Sequence, residues 1–146
     1  MEITKRSRTK ITEFVIDASI ALAWCFKDEA SSLTTHLLES LENDVAIVPS
    51  LWHLEMANVL VNAERKKRVS YADIMEFVSL LEALPIKVDH ETPSKAFHEI
   101  LSLSYTEGLT SYDAAYLELA MRKGIPLATK DQLLHKAANK IGVKTL

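Results

Sequence analysis

The chain has 146 residues, 48% apolar and 25% charged, with a formal net charge of -3. That size and composition describe one globular domain able to bury a real core, and no apolar run approaches the ~18 residues of a membrane helix. The acidic balance excludes a protein that grips nucleic acid through a global positive field.

Residues 1–12 form a polar leader carrying Lys5, Arg6, Arg8 and Lys10, without the apolar stretch of a secretory signal. The domain spans residues 13–146. Glu13 to Asp17 reads as a short buried strand. Ser19 is placed to cap a helix to about Phe26, and Ser31 or Ser32 opens a second helix to about Glu42. Val45 to Val48 is a second buried strand, stopped by Pro49. A long helix follows from Leu51 to Lys67. Its apolar residues Leu51, Leu54, Ala57, Val59, Leu60 and Val61 cover most of its circumference, which predicts burial on more than one side. Ser70 and Asp73 form a capping-box pattern for a helix to Leu84, and Pro85 precedes the strand Ile86 to Val88.

Thr92-Pro93 opens a helix expected to run to Tyr105 and end near Gly108. Thr110 caps the next, Ser111 to Lys123, which Gly124 closes. Pro126 to Thr129 is another strand, Asp131 to Ile141 a last helix closed by Gly142, and Val143 to Leu146 an edge strand. Short apolar strands separated by helices predict an α/β fold with a parallel sheet covered on both faces. Such sheets bind ligands beyond the carboxyl ends of their strands.

Four acids stand in informative settings. Asp17 and Asp131 follow strands, so one cleft at the carboxyl edge of the sheet would receive both. Glu55 and Asp113 lie within apolar, helix-like stretches, where a carboxylate is costly unless a cation meets it. Ordinary roles exist for each. Asp is a good N-cap, and both Asp113 and Asp131 fall where an acid suits a helix start. Glu55, with Asn58 and Asn62, makes a narrow polar stripe on a mostly apolar helix, either solvated or lining a cleft. Taken together, the four have the chemistry of a site for Mg²⁺ or Mn²⁺, which prefer hard oxygen ligands and keep several waters.

The segments Phe14-Val15-Ile16-Asp17-Ala18-Ser19, Val48 to Leu60 around Glu55, Leu109 to Ala120 around Asp113, and Pro126 to Asp131 occur in an order and spacing that resemble the PIN-domain ribonucleases, and specifically the VapC-type toxins of prokaryotic toxin–antitoxin pairs. The resemblance covers residues 13 to the end. It implies a three-layer α/β/α fold and Mg²⁺- or Mn²⁺-dependent cleavage of RNA. The family's four acids match Asp17, Glu55, Asp113 and Asp131. Its small hydroxyl residues match Ser19 and Thr129. The polar leader is a departure, because the family's first strand often begins near the N-terminus.

The expected mechanism is hydrolysis of RNA phosphodiesters by metal-activated water, leaving 5′-phosphate and 3′-hydroxyl ends. Asp17 and Asp113 would hold the main metal ion, directly or through water, Glu55 would complete the site or orient water, and Asp131 would tune it or help hold a second ion. Ser19 and Thr129 would position water or phosphate. Arg65, Lys66, Lys67 and Arg68 are candidate RNA contacts, although such runs are usually a solvated face. Trp24, Trp52, Tyr112 and Tyr116 are candidates for base stacking, against the commoner role of aromatics in the core. The resemblance further implies a homodimer and a small antitoxin partner.

Other chemistries are poorly served. The single Cys25 allows no internal disulfide and fits a cytoplasmic protein. Three glycines, none in a Gly-rich turn, remove the phosphate loop and the dinucleotide fingerprint. The scattered histidines make no zinc spacing. A catalytically inactive PIN-fold module that binds RNA or protein is the alternative reading.

Overall fold

The computed structural model describes residues 12–146. The polar leader with Lys5, Arg6, Arg8 and Lys10, except Thr12, lies outside the described residues. A four-stranded parallel sheet has the order β3-β2-β1-β4, with β1 at Glu13–Ile16, β2 at Val45–Pro49, β3 at Ile86–Asp89 and β4 at Leu127–Ala128. The register pairs Val15 with both Ile47 and Leu127. β1 and β2 are buried after their first residues because helices cover both faces, which is why their sequences are continuous apolar runs. The result is the three-layer α/β/α architecture expected from the sequence.

The helices are α1 (Ala18–Leu22), α2 (Ser32–Ser40), α3 (Leu51–Arg65), α4 (Tyr71–Ala83), α5 (Thr92–Lys95), α6 (Leu101–Glu107), α7 (Ser111–Lys123) and α8 (Gln132–Lys140). Capping explains most starts. Ser31 and Thr34 reciprocate at α2, and Ser70 and Asp73 at α4. Thr110 caps α7, which ends at Gly124 in the left-handed region, with φ of 63°. The helix expected from Thr92 to Tyr105 is interrupted by a π turn at Ala96–Ile100 between α5 and α6.

Burial departs from the sequence pattern in two places. The apolar circumference of α3 predicts enclosure on several sides, yet only Trp52, Met56, Leu60 and Ala63 are buried, while Leu54 is 77% and Val61 43% exposed. The enclosed helix is α7, where Ala114 through Ala120 are all buried. It packs on β1, β2 and β4 and under α6 and α8. The C-terminal segment adds one parallel bridge, Thr145 with Leu127, rather than a full strand. Among the described residues no helix is long and apolar enough to cross a membrane.

One partly buried charge network braces the edge of this core. Arg122 of α7 donates to Glu118, at 2.8 Å from Nε, and forks onto Asp89 at the end of β3, at 2.8 and 3.1 Å. The two carboxylates depend on that guanidinium, which holds Asp89 below its usual pKa.

Candidate active site

β1 delivers Asp17 to the carboxyl edge of the sheet, where it is 4% exposed. Its backbone is extended, and its Oδ1 accepts from the Ile20 amide at 3.3 Å, so Asp17 itself is the N-cap of α1. The sequence suggests Ser19 for that task. Instead Ser19 lies inside the first turn and donates its hydroxyl to Asp17 Oδ1 at 2.6 Å. Thr129, just beyond β4, donates to Asp17 Oδ2.

Each hydroxyl also accepts a backbone N–H from the loop after β4. Lys130 N lies 2.9 Å from Ser19 Oγ, and Asp131 N lies 2.9 Å from Thr129 Oγ1. Ser19 and Thr129, expected to position water or phosphate, thus direct their protons to Asp17. They join the ends of β1 and β4 through it.

Asp113 stands in the first turn of α7, its amide donating to Thr110 Oγ1 at 3.1 Å. Asp131 is the N-cap of α8, its Oδ1 accepting from Leu134 N at 2.9 Å; the ordinary capping role is therefore real there. Glu55 projects from α3, half-buried, and accepts a hydrogen bond at Oε1 from the Tyr116 hydroxyl. Asn58 and Asn62 of the same stripe are exposed.

The four acids share one electrostatic neighbourhood. Burial raises the pKa of Asp17, and the charge of Asp131 adds to it. Burial likewise raises Asp113, followed by the charges of Asp131 and Asp17. Glu55 is raised by burial and then by Asp113 and Asp17. Hydrogen bonds from Ser19, Thr129 and Tyr116 oppose these shifts without cancelling them. Tyr116 is pushed well above its ordinary pKa by burial, by its bond to Glu55 and by the surrounding acids.

Among the described residues, no three His, Cys, Asp or Glu side chains are gathered as a direct ligand set for one ion. That geometry does not suit a closed cage of the zinc or calcium type. Asp17, Glu55 and Asp113 are hard oxygen donors of the kind a hydrated dication takes one or two of, and each feels the charge of at least one other of the four acids.

The basic run lies at the far end of the Glu55 helix. Arg65, Lys66 and Lys67 are exposed at and beyond the end of α3. Arg68 is already engaged: it pairs with Asp28 and Glu29 at 2.9 Å each and lies 3.8 Å over the Phe26 ring. Lys130 reaches the Glu29 carbonyl at 2.5 Å from the loop beside Asp131. Of the aromatics considered for base stacking, Trp52 and Tyr116 are buried core residues and offer no ring face. Trp24 is half-buried, with Nε1 bonded to the Thr34 carbonyl at 2.8 Å, and Tyr112 is exposed.

Sequence reasoning misses Tyr116 as a partner of Glu55. The available signal is its position three residues after Asp113, which places both on one face of a helix.

Solved structures share this architecture. PAE2754 from Pyrobaculum aerophilum superposes with a TM-score of 0.70 at 24% identity, covering 93% of this chain and 92% of that one. VapBC2 from Rickettsia felis, bound to a DNA fragment from its promoter, gives 0.65 at 14% identity over 92% and 98%. FitAcB from Neisseria gonorrhoeae gives 0.50 at 16% over 91% and 96%. At these identities the likeness establishes the fold. A search of curated proteins finds no match. The PIN domain model matches residues 14–140, nearly the whole described chain, and this protein belongs to the PIN domain family.

Proposed function

We propose that this protein is a divalent-metal-dependent endoribonuclease and the toxin of a toxin–antitoxin pair. The observation that carries the reading is the buried Asp17 carboxylate, held by Ser19 and Thr129 at the carboxyl ends of β1 and β4, within electrostatic reach of Glu55, Asp113 and Asp131. Membership of the PIN family, whose proteins are generally nucleases, supports it. So does the fold shared with VapBC2 and FitAcB.

In this reading Asp17 and Asp113 hold Mg²⁺ or Mn²⁺, with Glu55 completing the site or orienting the attacking water. A dication there supplies charge neutralisation at the phosphoryl group and a lowered pKa for water. Asp17 is positioned by three donors and cannot swing, so its lone pairs are preorganised. Glu55, fixed at Oε1 by Tyr116 and coupled to the charges of Asp113 and Asp17, is the group suited to align water or take its proton. Asp131, anchored as a helix cap, contributes charge. The exposed Arg65, Lys66 and Lys67 are candidate contacts to RNA phosphates. A homodimer and a small antitoxin complete the proposed assembly, and residues 1–12 are proposed as a leader outside the nuclease domain, in a cytoplasmic protein.

The catalytically inactive module keeps one argument in its favour, the lack of a direct ligand set among the described residues. Incubation of the purified protein with an RNA pool, with and without Mn²⁺, separates the two. The nuclease reading expects Mn²⁺-dependent cuts with 5′-phosphate ends, absent from Asp17→Asn. No cleavage, or 2′,3′-cyclic phosphate products, would overturn it.

A further inference from the structure

We propose that Tyr116 is a positioning residue for Glu55, setting the orientation of that carboxylate relative to Asp113 and Asp17; this rests on the nuclease reading. Glu55 sits on α3 and Tyr116 on α7, 61 residues apart, and the Tyr116 hydroxyl bonds Glu55 Oε1 directly. An ionised carboxylate only accepts hydrogen bonds, so the phenol is the donor.

The two partners differ in freedom. Tyr116 is 1% exposed, on a helix buried from Ala114 through Ala120. Glu55 is half-buried, its helix exposed on the neighbouring Leu54 and Ala57 side. A long side chain at such a place would ordinarily sample several rotamers and turn to solvent. The hydroxyl selects one of them, leaving Oε2 as the oxygen able to serve a metal or water.

The position of Tyr116 makes this more than packing. Asp113 lies one turn earlier on α7 and therefore on the same face. One rigid helix thus presents a carboxylate directly and fixes a second one, from another helix, through a hydroxyl. A Phe would fill the same core volume, so the oxygen has no use in the core itself. Its partner is Glu55.

The test is a double-mutant cycle with Tyr116→Phe and Glu55→Ala. The readouts are kcat and KM for RNA cleavage, the Mn²⁺ concentration that half-saturates the thermal shift, and urea unfolding in chelator. Outer-shell partners of metal sites typically contribute about 10- to 100-fold. Tyr116→Phe is therefore expected to lower kcat and weaken Mn²⁺ binding by about tenfold or more, with KM little changed. In the Glu55→Ala background, where the hydroxyl has no acceptor left at position 55, it should change neither further, and the metal-free unfolding midpoints should show the same coupling. Glu55→Asp, at a half-exposed site that tolerates change, keeps the charge but withdraws it one methylene from the hydroxyl. It should reproduce the loss and leave Tyr116→Phe without added effect, which keeps the test open should the core variant fold poorly.

Equal losses from Tyr116→Phe in all backgrounds, or no loss in the wild-type background, would overturn the positioning role while the nuclease reading stands. A wild-type chain that neither binds Mn²⁺ nor cuts RNA defeats both.

Discussion

Thr129 donates its hydroxyl to Oδ2 of Asp17 across 112 positions of sequence, and in doing so satisfies a carboxylate that burial would otherwise leave short of partners. The Thr129 oxygen in turn accepts from Asp131 N. Thr129→Val keeps the shape and removes both bonds. We expect it to cost about 2 kcal/mol of unfolding free energy, the scale for a buried charge deprived of a donor. Urea titration should show a lower midpoint at unchanged slope, and Thr129→Ser should recover most of the deficit.

The raised pKa values of Asp17, Glu55 and Asp113 set the pH dependence of the metal-free protein. A carboxyl raised in the folded state binds its proton more tightly there than in the unfolded chain. Its stabilising contribution is fully present below the unfolded value, 3.8 for Asp and 4.5 for Glu, and is lost as pH rises through the folded value. Asp28 and Asp89, both lowered, work in the opposite sense and matter only as pH falls through their depressed folded values. In chelator, the three raised acids should make the protein less stable at about pH 7.5 than at about pH 5. Mn²⁺ should erase most of that difference.

Asp113→Asn tests the same charge from the side of function. It removes one repelling carboxylate, so metal-free stability at neutral pH should rise and its pH slope should flatten. Cleavage should fall by about 100-fold or more, the scale for losing a preorganised electrostatic group, and the Mn²⁺-induced thermal shift should shrink. A variant that cuts RNA as well as the parent would remove Asp113 from the site.

The Arg122 network offers a stability prediction unrelated to catalysis. Its guanidinium serves Glu118 and Asp89, whose side chains are 6% and 10% exposed. Arg122→Met strands both, at an expected cost of about 3 kcal/mol. Arg122→Lys keeps the charge but not the two-pronged geometry, and should recover only part of it by urea unfolding.

RNA binding by the basic run should divide between its exposed members and Arg68. Lys66→Ser with Lys67→Ser should flatten the salt dependence of RNA affinity, by about 0.7 in log–log slope for each phosphate that those lysines neutralise. Arg68→Ala should instead lower stability, because its partners Asp28, Glu29 and Phe26 lie within the chain.

Much of the fold is legible because parallel strands enclosed on both faces must be apolar throughout, and Phe14-Val15-Ile16 and Ala46-Ile47-Val48 are. Caps with two reciprocal partners, such as Ser70 with Asp73, are equally readable. Circumferential reasoning on helices fails. The apolar residues of α3 spread around its surface, yet only one stripe meets the core. The truly enclosed α7 carries Glu118 and Tyr116, and so reads as less apolar than it is buried. Burial of those two is possible because Arg122 and Glu55 answer them, and a partner 61 residues away leaves no local trace. Nor do Asp17 and Ser19 compete for the α1 cap: one carboxylate with two oxygens serves the cap and both hydroxyls at once.

The placement of β1 between β2 and β4 has a temporal side. Asp17 leaves the ribosome well before Thr129, so a nascent chain holds the first acid long before the strand that fixes it exists. The Asp17 carboxylate gains the Thr129 hydroxyl only once the segment after β4 has emerged. Completing the surroundings of the first acid is therefore among the last events of synthesis.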